Sequence, residues 1–252
     1  MSALREIVTL LAANTSAKRM SQVFDDFVEM AALALRNAVD VHGSESWEAR
    51  ERQYLQIAGG YSRTDLDRFT HALALVTMEL NRNPHDVLGR LYMELELGNE
   101  RLGQVYTPYD FARLMARMEI RAVVEQVERS GFADVYEPVC GAGSFMIALS
   151  QVMLEHGLNP QTQLHVTAED ISPQAMQMVY IHLTLLNIPA VVRRCNVLTL
   201  ETFETWPNLA HVLGHWRQKR RVAQAIDGSR RLIIASHQET AGIPADALEM
   251  KR

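Results

Sequence analysis

The stretch from Val135 to Ile147, VYEPVCGAGSFMI, constrains this chain more than any other. A short apolar run turns through Cys140-Gly141-Ala142-Gly143-Ser144 into Phe145, Met146 and Ile147, which open a helix. Strand, glycine turn, helix is the local order of a nucleotide-type ligand site at the carboxyl end of a strand. Gly141 and Gly143 can adopt positive φ and admit a ligand close to the backbone. The free N–H groups of the helix that follows face such a ligand. The spacing is Gly-x-Gly with no third glycine, and Glu137-Pro138 ends the strand, so the dinucleotide fingerprint is a poor fit.

Around this turn the composition is that of a soluble globular chain. It is 252 residues long, 48% hydrophobic, with a net charge of -5. That length suits one large domain or two small ones. No apolar run is long enough to span a bilayer. The opening residues are interrupted by Arg5 and Glu6 and carry no convincing cleavage site. Two cysteines, Cys140 and Cys195, argue against a disulfide scaffold and for a reducing, cytoplasmic compartment. Neither belongs to a metal-type cluster, so no metal is expected.

Residues 1 to 100 read as helices. Phe24, Phe27, Val28, Ala31 and Leu35 share one helical face, as do Leu66, Phe69, Leu73, Val76 and Leu80 after the start signal Ser62-Arg63-Thr64-Asp65. Leu88, Leu91, Tyr92 and Leu95 make a third stripe. Breaks fall at His42-Gly43-Ser44, Gly59-Gly60 and Asn81-Arg82-Asn83-Pro84. Gly103-Gln104-Val105-Tyr106-Thr107-Pro108 follows. Thr107 is a good N-cap and Pro108 fits a first helical position, so exposed N–H groups at Tyr109 and Asp110 can receive an anion.

Beyond the glycine turn, a helix runs to about Glu155 and His156-Gly157 ends it. Leu164, Val166 and Ala168 alternate with polar residues as a strand ending in Glu169-Asp170-Ile171-Ser172-Pro173. An acidic side chain at such a tip can accept both ribose hydroxyls of an adenosine. Either acid could serve, or both could merely cap the next helix. His182, on the helix after Pro173, reads as an ordinary surface or packed residue rather than a base. Val191-Val192 then leads through Arg193-Arg194 to Cys195-Asn196.

Taken together, Tyr106-Thr107-Pro108, the turn EPVCGAGSFMIA, Asp170-Ile171-Ser172-Pro173 and Asn196 resemble the adenine-N6 DNA methyltransferases of the type I restriction–modification modification-subunit kind. The resemblance implies an α/β protein. A helical N-terminal domain, 1–100, would precede a Rossmann-like, partly truncated S-adenosylmethionine-dependent methyltransferase sheet, 101–252. It implies S-adenosylmethionine as cofactor, held by Tyr106, Thr107 and Pro108, and by Glu137, Pro138, Cys140, Gly141 and Gly143. Register against the family pattern gives Asp170 the ribose and turns Glu169 away. Ile171 would cover one face of the adenine, and Asn196 would meet its amino group, an amide being both donor and acceptor.

The resemblance stops there. The family next needs an Asn-Pro-Pro-aromatic run to hold the flipped target base, and none occurs; the nearest text is Trp206-Pro207-Asn208-Leu209. Catalytic residues are therefore not assigned. Arg231-Leu232-Ile233-Ile234-Ala235 is the one remaining strand candidate, so an uncovered strand edge is expected near Asn196 to Ile234. Arg217, Lys219, Arg220, Arg221, Arg230 and Arg231 cluster near Trp206, His211, His215 and Trp216. Such a cluster can hold phosphates and stack bases, or form a solvated basic helix. Two functions compete: a methyltransferase acting on DNA with a replaced or partner-supplied target pocket, and a cofactor-binding or interfering subunit without transfer. DNA and a second copy or a restriction–modification subunit are the expected partners, with no membrane.

Overall fold

The computed structural model describes residues 3–15, 18–95 and 107–227. Tyr106, Arg230 and the strand expected at Arg231 to Ala235 lie outside them. The chain divides into two compact units, Met1–Gly214 and His215–Arg252.

The apolar stripes of the first hundred residues become helix faces. They lie on α2 (Met20–Asn37), α4 (Arg63–Arg82) and α5 (Val87–Glu94), accompanied by α1 (Ala3–Ala12) and α3 (Glu45–Ala58). Phe24, Phe27, Val28 and Ala31 are buried, as are Phe69, Val76 and Leu80, and Leu88, Leu91 and Tyr92. α3 buries no residue and so shows no stripe. Ser62 starts α4 with a full capping box: its hydroxyl accepts from the Asp65 amide, and the Asp65 carboxylate accepts from the Ser62 amide. Ser62→Ala leaves an orphan N–H at the helix start. We expect a loss of about 1 kcal/mol in urea unfolding with unchanged slope.

The sheet half follows in chain order as α6 (Tyr109–Ser130), β1 (Ala133–Glu137), α7 (Ser144–Glu155), α8 (Pro160–Gln163), β2 (Leu164–Asp170), α9 (Pro173–Leu185), β3 (Ala190–Asn196), β4 (Glu201–Pro207) and α10 (Leu209–Leu213). The four strands lie in the order β1-β2-β3-β4. β1, β2 and β3 are parallel, joined by helices as consecutive βαβ units, and β4 returns antiparallel to β3. All seven residues of β2 are buried, as the middle of a covered sheet requires. α6 packs on α7, and α2 packs on α9. The result is a mixed α/β fold with a helical N-terminal part and a short, truncated Rossmann-like sheet. Residues 216–227 form a helix in the second unit.

Two details differ from the sequence reading. The first concerns the start of α6. It begins at Tyr109 with Pro108, not Thr107, in the N-cap place, because Pro108 has an extended ψ of 137°. The second concerns the open edge. The outer side of β3 is closed by β4, a strand the sequence reading did not assign. Asn208 pins it there: its side chain accepts from the Ala190 amide at 3.0 Å and donates to the Ile188 carbonyl at 2.7 Å. Trp206 lies on β4, buried edge-on against Tyr180, so it is not free to stack on a base.

The two edges of the sheet are unlike. β4 is mostly exposed, carries Glu201 and Glu204, and follows a register shift at Arg194/Cys195. Charges and irregular pairing are what protect an edge strand. Among the described residues β1 pairs only with β2, and beside it runs a groove of about 460 Å3 whose apolar lining, Met115, Met118, Val123 and Phe145, is flanked by Glu119 and Glu137. Phe111, Leu114, Met115 and Met118 on α6 are exposed around it. Among the described residues, uncovered apolar surface thus lies at β1, and also in the expected region beyond Asn196, where Leu198, Leu200, Phe203 and Leu213 are exposed.

Candidate functional site

The glycine turn sits at the carboxyl end of β1. Gly141 has φ +53° and Gly143 φ +94°, values that favour residues without a Cβ. A Cβ on Gly143 would come within 2.7 Å of the Val179 Cγ2 atom on α9. Gly143 is therefore glycine for close helix packing as well as for its backbone angle. Gly143 is also the N-cap of α7 and offers no side-chain cap, and Pro108 offers none to α6. Each helix therefore presents uncapped N-terminal amides, the donors that an anion accepts.

The tip of β2 closes on this turn. Asp170 accepts from the Gly141 amide at 3.0 Å and from the Ser172 amide at 2.9 Å. A carboxylate has about four lone-pair sites, so two remain for hydroxyl donors. Glu169 is held on a different set of partners. It accepts from the Tyr136 hydroxyl at 2.7 Å, from Arg193 at 3.1 Å and from the Cys195 thiol at 3.2 Å. Burial opposes its ionised form, but those three hydrogen bonds and the Arg193 charge hold its pKa below the usual value. The two neighbouring carboxylates thus have entirely different partners.

Glu137 is half-buried at the end of β1, and desolvation raises its pKa against a hydrogen bond from the Val139 backbone. Pro138 continues the turn. Cys140 is buried, and desolvation and then the charges of Asp170 and Glu137 push its thiol well up. A raised thiol pKa disfavours the thiolate, which is the nucleophilic form. Ile171 is 59% exposed at the mouth of the turn. Asn196 uses its side-chain oxygen to cap the turn after β3, accepting from the Leu198 and Thr199 amides. Only its Nδ2 group is then left to donate to a ligand. Thr107 is exposed just ahead of α6.

A buried network behind the turn was not legible in sequence. Asp86, the N-cap of α5, accepts from the Gly89 amide at 2.7 Å and from the Ser144 hydroxyl at 2.7 Å. His182 is fully buried between the Ala142 carbonyl, 2.8 Å from Nδ1, and the Leu88 amide, 3.2 Å from Nε2. Nδ1 therefore carries the proton and donates, while Nε2 accepts. Ser, His and Asp meet here without forming a hydrolytic triad, because both imidazole nitrogens bond to the backbone. The cap signal at Asp86 could be read from its place before Val87-Leu88; its partner Ser144 could not.

A larger groove, about 730 Å3, lies between α2, α3, α9 and the β3–β4 pair and contains Asp25, Glu29, Gln174 and Glu204. None of the turn residues lines it, and size alone is a poorer guide than the convergent polar groups at the turn. Among the described residues no cluster of His, Cys, Asp and Glu could hold a metal ion. No described helix is long and apolar enough to cross a membrane.

Consecutive parallel βαβ units, a glycine turn with uncapped helix ends and an acid at the next strand tip define a Rossmann-like, methyltransferase-type α/β protein. Residues 84–215 match the N-6 DNA Methylase family. That is more than half of the 252 residues, and the chain belongs to this family. Its match also covers α5 and therefore Asp86. No curated protein matches the chain. Among solved structures, it is similar to a type I restriction–modification methyltransferase subunit from Streptococcus thermophilus. The identity is 15% over 74% of this chain and 55% of that one, with a TM-score of 0.35. It is also similar to a Listeria monocytogenes protein described as a candidate class I S-adenosylmethionine-dependent methyltransferase. There the identity is 11% over 75% and 51%, with a TM-score of 0.34. The chain thus spans about half the length of the solved structures it matches.

Proposed function

We propose that this chain binds S-adenosylmethionine and acts on or with DNA, as the cofactor-holding half of an adenine-N6 methyltransferase. The observation that carries this reading is the hydrogen bond from Gly141 to Asp170. It joins the glycine turn to the acid of the next strand, and that carboxylate keeps lone pairs with which it would accept the two ribose hydroxyls. The uncapped amides at Tyr109 and Asp110 would receive the cofactor's carboxylate, alongside Tyr106, Thr107 and Pro108. Glu137 and Pro138 would wall the turn. Ile171 would lie on the adenine, and Asn196 would meet the edge that carries its amino group, with Nδ2 donating to the ring nitrogen beside it because the side-chain oxygen is taken by the Leu198 and Thr199 amides. When bound, S-adenosylmethionine supplies an electrophilic methyl group. In this reading 1–100 forms the helical domain and 101–252 the cofactor domain of a cytoplasmic protein.

Transfer to an exocyclic nitrogen also needs acceptors aimed at that nitrogen, and the sequence has no Asn-Pro-Pro-aromatic run. The open β1 edge and its apolar groove fit a second polypeptide that completes the sheet and brings those acceptors. Alone, the chain would be a binding subunit without transfer. Arg217, Lys219 and Arg221 are exposed on the helical residues 216–227, and would contact phosphates in the complex. Calorimetry with S-adenosylmethionine, then a transfer assay on adenine-containing DNA with and without a type I specificity or methyltransferase subunit, tests the reading. No heat of binding would sink it.

Two further outcomes follow from named groups. Asp170→Ala is expected to weaken cofactor binding by roughly 1–3 kcal/mol, the size of lost charge-assisted hydrogen bonds. Glu169→Ala should leave affinity within a few-fold, because Glu169 is occupied by Tyr136, Arg193 and Cys195. The reverse order in titration calorimetry would exchange their roles. Self-association through the β1 edge should appear in light scattering at micromolar concentration and fall in Met118→Lys, which places a charge beside the groove. A monomer in both cases would leave the edge to a different partner.

A further inference from the structure

We infer that the start of α5 is part of the cofactor site: Asp86 and His182 are positioning residues that hold the glycine turn in its ligand-accepting shape. This inference rests on the cofactor reading above and extends it to a segment that touches neither strand tip.

The turn Gly141 to Ser144 is held from two directions. Asp170 takes the Gly141 amide from the side of β2. Behind the turn, Asp86 accepts from the Ser144 hydroxyl and His182 donates to the Ala142 carbonyl. The helical segment has the same two groups on its own backbone, since Asp86 also caps Gly89 and His182 also accepts from Leu88. Each side chain is thus a bridge with one end on α5 and the other on the turn. Asp86 is 3% exposed and His182 0%. In so dry a place a hydrogen bond left unmade leaves a buried polar group unpaired, and the geometry tolerates little slack.

The chemistry of the bridge explains why these residue types stand here. Ser144 is the first residue of α7, whose N-terminal amides face the ligand space, and the helix has no side-chain cap. The Asp86 carboxylate fixes that first residue through its hydroxyl and leaves the N-terminal amides of α7 free, whereas a side-chain cap would take the amide of the second or third residue. His182 accepts from an N–H on one nitrogen and donates from the other, as a neutral imidazole can and an imidazolium cannot. Moving α5 by a fraction of an ångström would therefore tilt Ala142 and Ser144, and with them the amides of the turn. By linkage, cofactor binding must in turn tighten α5.

The test uses the whole chain and S-adenosylmethionine as probe. Ser144→Ala removes only the hydroxyl and keeps the fold; Asp86→Asn keeps the shape and drops the charge. Affinity is measured by calorimetry at a temperature where thermal melts show every variant folded, and Ser144→Thr serves as the conservative rescue. Amide hydrogen exchange at Leu88 and Gly89 is followed with and without cofactor. We expect each variant to lose about tenfold in affinity, the double variant Asp86→Asn/Ser144→Ala to lose little more than either, and Ser144→Thr to recover most of it. Exchange at Leu88 and Gly89 should slow on binding in the wild type and not in Ser144→Ala. Wild-type binding with unchanged affinity in the variants, or strictly additive losses with no cofactor effect on those amides, overturns the inference while leaving the cofactor reading intact. No binding by the wild type overturns both.

Discussion

Gly143→Ala is expected to destabilise the fold by about 2–4 kcal/mol and to remove measurable cofactor binding. Two independent effects add at this position. An L residue at φ +94° carries backbone strain. The new Cβ would also meet Val179 Cγ2 at 2.7 Å, and Val179 is a branched residue on a helix with essentially one allowed rotamer. The side chain cannot swing away, so α9 or the turn must move. A shift of the turn breaks the Gly143 amide bond to the Cys140 carbonyl, now 2.9 Å, and displaces Gly141 from Asp170. Combining the change with Val179→Ala separates the two effects: the steric part should be restored and the φ strain should remain. Urea unfolding and calorimetry read both. A variant as stable and as tight-binding as the parent would mean the turn is not as closely packed as its geometry requires.

His182→Ala is expected to cost about 3–5 kcal/mol, because it opens a cavity and leaves the Leu88 amide and the Ala142 carbonyl without partners in a dry interior. His182→Gln, which can both donate and accept, should recover part of that loss. The same residue gives the protein an acid limit. Burial disfavours the imidazolium, partly offset by Asp86 and the Ala142 carbonyl, so its pKa in the folded state lies below the ordinary 6.5. Protonation would also remove the acceptor that Leu88 uses. The unfolded chain takes up a proton at about pH 6.5, whereas the folded chain resists until the pH is lower. The stability from this group is fully present above that value and is lost as the pH falls toward the depressed folded pKa, by up to about 1.4 kcal/mol per pH unit. Thermal midpoints measured from pH 8 down to 5 should fall through this window in the wild type and fall less in His182→Gln. Equal slopes would assign the acid limit to other groups.

What the sequence determined by itself was local. Hydrophobic period and start signals marked α2, α4 and α5, because a helix face and a capping box are written in residues three or four apart. The strand–turn–helix of β1 and α7 and the acidic end of β2 were legible for the same reason. Each is a short run whose chemistry and spacing need no distant partner. Only the tertiary structure decided the rest. Glu169 and Asp170 are neighbours in sequence, but Tyr136, Arg193 and Cys195 come from other strands to take one of them, and Gly141 takes the other. Asp86 and Ser144 are 58 positions apart, and neither announces the other. Gly143 looked like room for a ligand and is also room for Val179. Trp206-Pro207-Asn208, the nearest text to the missing motif, is a strand end held by the Asn208 side-chain amide against Ala190 and Ile188. Strand β4 is not legible in the sequence because its residues are mostly exposed and carry little apolar alternation. Local propensity selects an element, but which buried donor meets which acceptor depends on chain segments brought together only by folding.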